Sequence, residues 1–172
     1  YEGLNEHQMV VPSLMENTTM KGQKLHPAKR SALERWFRGY AREAQGRTKP
    51  STLFLFVTDH GTKGKGPLGN KIELWRENVD VRQLRAMMEP LGKKNRVVTV
   101  MSQCYSGGFA NVLYESPGKV HGNRCGFFST IASREAYGCF PETARSSRTG
   151  HAYHMIHAMQ TAQTFAEAHR RT

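Results

Sequence analysis

Two short apolar runs decide the fold class of this chain: Leu53-Phe54-Leu55-Phe56-Val57, leading into Thr58-Asp59-His60-Gly61, and Val97-Val98-Thr99-Val100-Met101, leading into Ser102-Gln103-Cys104-Tyr105-Ser106-Gly107-Gly108. Runs of this length and composition predict buried parallel strands. In open α/β sheets, ligands gather beyond the carboxyl ends of the strands. The reading therefore brings His60 and Cys104 to one sheet edge. A thiol and an imidazole at one site are the minimum equipment for nucleophilic cysteine catalysis.

The flanking sequence supplies the rest of an α/β pattern. Phe127-Phe128-Ser129-Thr130-Ile131-Ala132 reads as a third strand, and residues 72–75 as a short one. Pro27 stands where a helix can begin. Ala28, Ala32, Trp36, Phe37, Tyr40, Ala41 and Ala44 then recur at helical spacing as far as Gly46. Asp80 is a good N-cap for a helix carrying Leu84, Met87, Met88 and Leu91, with the Met pair filling core. Residues 109–114 and 151–170 also read as helical. The stretch from Gly61 to Asn70 reads as a mobile glycine-rich loop without the spacing of a phosphate loop. Residues 133–149 form a polar loop, and residues 1–26 an irregular surface segment. Strand, helix, strand, helix, strand in this order predicts a parallel α/β sheet with right-handed crossovers.

Bulk composition narrows the function classes. At 172 residues the chain fits one domain with a real core. No apolar stretch approaches the roughly 18 residues needed to span a bilayer. The formal charge of +11 raises the question of nucleic acid. Its basic residues are scattered, however, over Lys29, Arg30, Arg35, Arg38 and Arg42, then Lys63, Lys65 and Lys71, then Lys93, Lys94 and Arg96. No zinc-knuckle or RNA-recognition signature accompanies them, so a solvated basic surface is the preferred reading. Cys104, Cys125 and Cys139 are an odd count with no C-x-x-C pair, which leaves at least one free thiol. A Cys125–Cys139 bridge is compatible with that count; small buried residues are the preferred reading. His151, His154 and His157 drift around a helix and read as a polar face rather than a metal site.

The chemistry concentrates on Cys104 and His60. A cysteine at a strand-to-helix junction lies near helix amides, whose positive end favours the thiolate. The backbone N–H of Cys104 and that of Gly61 are candidate donors to a developing oxyanion. His60 is placed to protonate a leaving amine. Taken singly, a free cysteine is commonly a small core residue and a lone histidine a surface group. Position at two strand ends, with glycine after each, favours the pair as a site.

Thr58-Asp59-His60-Gly61 after one apolar strand, with Gln103-Cys104-Tyr105-Ser106-Gly107 after the next, resembles the legumain family of the caspase-like (clan CD) cysteine endopeptidases. Phe54 to Gly61 closely matches the family's histidine strand, and Tyr137-Gly138-Cys139 with Arg145-Ser146 to Gly150 resembles its later loop. The similarity runs from about residue 27 to about residue 153. The resemblance implies a caspase-like, mostly parallel sheet with helices on both faces. It implies Cys104 as nucleophile, forming a thioester acyl-enzyme, and His60 as general acid/base. The Gly61 and Cys104 amides would line the oxyanion hole, with Asp59 an orienting or structural neighbour. Peptide or protein is the implied substrate, with no metal or organic cofactor. Ligase activity follows where an amine outcompetes water.

The chain departs from the family in two places. The family pocket reads asparagine with an arginine and acidic residues, and two of those acidic positions correspond to Ser102 and His151. Their loss removes carboxylates that would accept the asparagine amide N–H₂. Ser102, Ser129 and His151 are the candidate substrate-binding residues, and asparagine specificity is not carried over. The family fold also has a strand, a helix and another strand before the helix at Ala28, which residues 1–26 do not supply. Residues 27–172 thus read as the C-terminal portion of a catalytic domain lacking its N-terminal strands, with a preceding fragment of that domain as an expected partner. The rival readings are a catalytically silent caspase-like binding module and, with less support, a basic nucleic-acid-binding domain.

Overall fold

The computed structural model describes residues 18–20, 23–136 and 150–172. A strand pair, β1 (Thr18–Met20) and β2 (Gln23–Leu25), precedes helix α1 (Arg30–Gly46). Next come β3 (Thr52–Val57), β4 (Gly61–Thr62), β5 (Lys71–Leu74), β6 (Glu77–Asp80) and helix α2 (Val81–Met88). The strands β7 (Arg96–Met101), β8 (Tyr114–Ser116), β9 (Lys119–Val120) and β10 (Arg124–Phe128) follow. Helices α3 (His151–Met159) and α4 (Phe165–Arg170) come last.

The central sheet has the order β10-β7-β3 and is parallel throughout. Side chains alternate across it, as a strand's period of two requires. Leu53, Leu55 and Val57 of β3 face a cluster with Phe37, Tyr40, Ala41, Leu84, Met88, Met101 and Phe109. Phe54 and Phe56 face the other way, with Val100, Phe127, Met155, Ala158 and Ala168. Thus α1 and α2 cover one face and α3 and α4 the other, the mixed α/β arrangement expected of a caspase-like fold. Burying side chains such as Phe37 and Leu84 contributes about 1.5–3 kcal/mol each. Asp80 caps α2 with a reciprocal capping box, accepting from Gln83 N at 2.8 Å while Gln83 Oε1 accepts from Asp80 N at 2.9 Å.

Several local expectations change. Thr18–Met20 and Gln23–Leu25, within the segment read as irregular, form the antiparallel β1–β2 pair, and Leu25 is buried. The third strand runs over Arg124–Phe128 rather than 127–132. Its first half has too little apolar character to be read as a strand and is recruited by parallel pairing to β7. The helix expected at 109–114 is a 3-10 helix over Ser106–Leu113. Cys125 is a free, exposed thiol rather than a small buried residue; Cys139 and the Tyr137-Gly138-Cys139 and Arg145-Ser146 motifs lie outside the described residues. Among the described residues no helix is long and apolar enough to cross a membrane.

Candidate active site

Register brings three strand ends level. Val57 and Phe128 both pair with Met101, and the ladder runs one step further through Ser102 N to Val57 O at 2.8 Å and Ser129 N to Met101 O at 3.0 Å. His60, Cys104 and Ser129 therefore leave the same edge of the sheet.

The two reactive segments touch through their backbones. A Cβ on Gly61 would lie 2.2 Å from the Cys104 carbonyl oxygen and 2.9 Å from Gln103 Cγ. Glycine at this position is what lets the chain after His60 lie directly on the Cys104 peptide. The glycine-rich stretch that follows is tied down rather than open: Gly61 and Thr62 pair with β5, and the residues after them close into a 3-10 turn at Pro67–Gly69. A Cβ on Gly64 would meet the Gly69 carbonyl oxygen at 1.7 Å, so glycine there also serves close packing.

His60 itself is exposed. Its amide donates to Asp59 Oδ1 at 2.7 Å, and its carbonyl accepts from Glu73 N at 3.0 Å. Asp59 is thus a turn-forming neighbour that bonds backbone rather than the imidazole. Cys104 is 4% exposed, and its Sγ accepts from the Ala136 amide at 3.3 Å. Among the described residues no hydrogen bond joins the Cys104 thiol to the His60 imidazole.

The turn after Cys104 is strained. Tyr105 sits at φ 58°, ψ 20°, left-handed space that costs a non-glycine residue roughly 1–2 kcal/mol. Among the bonds that hold it there, its amide donates to Arg134 O at 2.9 Å, its carbonyl accepts from Asn70 Nδ2 at 2.9 Å and from Gly108 N at 3.2 Å, and its hydroxyl donates to Glu135 Oε1 at 3.1 Å. Gly107 and Gly108 are bare for packing. A Cβ on Gly107 would lie 2.7 Å from Ala132 N and from Thr130 O, and one on Gly108 2.6 Å from Asn70 Nδ2 and from Pro67 O.

The three candidate substrate-binding residues fall into two groups. Ser129 Oγ donates to Gln103 O at 3.2 Å and pairs with Ser106 Oγ at 3.1 Å, so its hydroxyl is engaged in holding the segment before Cys104. Ser102 Oγ pairs with His151 Nδ1 at 2.8 Å, and His151 Nε2 faces His169 Nδ1 at 3.2 Å. Burial, then the neighbouring His169 and His154, push the His151 imidazole down to about 4. Burial also lowers His169, which packs on the Phe127 ring at 5.2 Å. The chain Ser102–His151–His169 is therefore a neutral hydrogen-bonded relay near pH 7. His154 and His157 lie on the exposed side of α3, and among the described residues no three His, Cys, Asp or Glu side chains gather as metal ligands.

Sequence reading missed Asn70, Tyr105, Ala136 and His169 as parts of this edge. Tyr105 carried no signal, because left-handed backbone at a tyrosine has no compositional mark. Asn70 carried only the weak one of a polar residue closing a glycine-rich loop.

Neither a search of curated proteins nor one of solved structures returns a significant match. A family model described as the peptidase C13 family matches residues 40–172, a span that takes in β3 with His60, β7 with Cys104 and both C-terminal helices. That match covers well over half of the chain, which therefore belongs to the peptidase C13 family of cysteine peptidases.

Proposed function

We propose that this chain is a cysteine endopeptidase in which Cys104 and His60 act from the two sides of a bound peptide. The observation that carries the reading is the contact of Gly61 with the Cys104 peptide, where a single methyl group would collide at 2.2 Å. Cys104 gives up its thiol proton to His60, and Sγ attacks the scissile carbonyl carbon, whose oxygen takes up the negative charge. The amides of Gly61 and Cys104 donate to that oxygen. His60 protonates the leaving amine as the C–N bond breaks, leaving a thioester on Cys104. Water then attacks the thioester with His60 accepting its proton, and the acid leaves with the thiol restored. A competing amine in place of water gives ligation.

Ser102 and His151 form the candidate wall for the residue before the scissile bond. A neutral hydroxyl–imidazole pair offers one donor and one acceptor in place of two carboxylates, so the asparagine preference of legumains does not carry over. The edge of β3 faces no further strand among the described residues; the preceding part of the catalytic domain is the proposed partner there.

A peptide library varied before the scissile bond tests the reading. The full chain should cleave it, and Cys104→Ala should lose at least about a thousandfold in rate. Equal cleavage by both proteins, or none by either, overturns it. A second reading, a catalytically silent binding module, is favoured by the 4% exposure of Cys104. A wild type that binds the peptides without cleaving them would establish it.

A further inference from the structure

We propose that Asn70 is a positioning residue, one amide that sets the geometry of the Cys104 turn against the His60 segment; this rests on the peptidase reading above. Asn70 is 1% exposed. Its Nδ2 donates to Tyr105 O at 2.9 Å and to Ala132 O at 2.8 Å, and its Oδ1 accepts from Gly64 N at 3.2 Å. Its own amide donates to Pro67 O at 3.3 Å, and its carbonyl accepts from Val81 N at 3.1 Å, which anchors the residue at the entry to α2.

Each side-chain bond reaches a different segment of the candidate site. Gly64 belongs to the loop that leaves His60. Tyr105 follows Cys104. Ala132 begins the stretch that leads to Ala136, whose amide holds the Cys104 sulfur. No other described side chain spans all three. The left-handed Tyr105 peptide is where the turn has most to lose, and Asn70 bonds its carbonyl. Gly108 leaves the space, since a Cβ there would press on Asn70 Nδ2 at 2.6 Å.

The chemistry selects asparagine. The site needs two N–H donors and one acceptor on a short planar group. Aspartate keeps the shape and the acceptor but sets a carboxylate against two carbonyls. Serine is too short for all three partners. Either change removes one of the two donors at the Tyr105 carbonyl, leaving the Gly108 amide at 3.2 Å, and lets the Tyr105 peptide, and with it the Cys104 amide and thiol, shift against the His60 segment. A displacement of about 1 Å at a reacting group costs on the order of a hundredfold in rate.

The full chain carrying Asn70→Asp or Asn70→Ser tests this, with Asn95→Ser as control. Asn95 is a second buried asparagine, at the opposite end of the sheet. Three quantities are compared: kcat and KM on a peptide that the wild type cleaves, the rate at which iodoacetamide modifies Cys104 as read by mass spectrometry, and the melting temperature. The Asn70 variants should lose roughly 10- to 100-fold in kcat with KM within about threefold, and should change the Cys104 alkylation rate. Asn95→Ser should melt lower and keep its kcat. Gly108→Ala, which displaces Asn70 from the other side, should repeat the kcat loss and serves if the Asn70 variants do not fold. Folded Asn70 or Gly108 variants with wild-type kcat overturn the proposal, as does an Asn95→Ser loss of kcat in step with its stability. A wild type that cleaves nothing defeats the peptidase reading instead. Asn70 is then judged on alkylation alone, where an unchanged Cys104 rate in the variants overturns it.

Discussion

The two ends of the three-stranded sheet are built from the same kinds of side chain, but their bonds go to different places. At the end where the strands begin, Asn95 Oδ1 accepts from Ser51 Oγ at 2.8 Å and its Nδ2 donates to Leu91 O at 2.8 Å, while Tyr40 OH pairs with the same Ser51 at 3.0 Å. Buried Arg124 donates to Val112 O at 2.9 Å and Met88 O at 3.0 Å. Nearby, Lys119 and Lys93 hold the half-buried Glu115 carboxyl down at about 2. These bonds join the starts of β3, β7 and β10 to the helices and loops beside them, and none reaches His60 or Cys104. At the end where the strands finish, Asn70 and Ser129 bond the segments on either side of Cys104, and Tyr105 is bent into left-handed space. The first end closes the fold. The second holds reactive groups in a conformation the chain would not choose locally, which is where strain concentrates in functional sites.

Substitutions at the two ends should therefore separate activity from stability. Short of removing Cys104 itself, the largest effect is expected from Gly61→Ala, whose Cβ meets the Cys104 backbone at 2.2 Å. Peptide cleavage should fall about a hundredfold, read as kcat/KM. A Gly61→Ala protein with wild-type kcat/KM would break the comparison. Asn95→Ala should remove the bonds to Ser51 Oγ and the Leu91 carbonyl, lowering stability by about 1–3 kcal/mol in urea titration while kcat is kept. A smaller loss of about 1 kcal/mol in the same titration is expected for Asp80→Ala, which removes the α2 cap.

The smallest effect is one of pH. An unfolded histidine titrates near 6.5, whereas the folded His151 stays neutral down to about 4. Between those values the unfolded chain binds the extra proton, so the His151 contribution is complete above pH 6.5 and is lost as pH falls toward 4. His151→Gln keeps a partner for Ser102 and cannot titrate. Over that window its melting temperature should fall less than that of the wild type; parallel curves would remove His151 as the source.

Much of the fold was legible because it rests on local periodicity. The alternation in Leu53–Val57 marks a strand with two buried faces, the spacing from Ala32 to Ala44 marks α1, and Asp80 marks the start of α2. Arg124–Phe128 was half legible, since its first residues owe their strand state to pairing with Val97 and its neighbours. The 3-10 form of Ser106–Leu113 was hidden, because its glycines answer to Thr130, Ala132 and Asn70 rather than to helical propensity.

The sequence by itself determined that two apolar strands end in His60 and Cys104 with glycine beside each, and the family match over residues 40–172 stands on the same stretch. Long-range packing is what lays Gly61 on the Cys104 carbonyl, links Ser102, His151 and His169 in one relay, and lets Asn70 join Tyr105 and Ala132 across separations of 35 and 62 residues. The physical reason is range. Hydrophobic periodicity and caps are set by residues a few positions apart, whereas a hydrogen bond between distant segments exists only once strand order and register have brought them to the same edge.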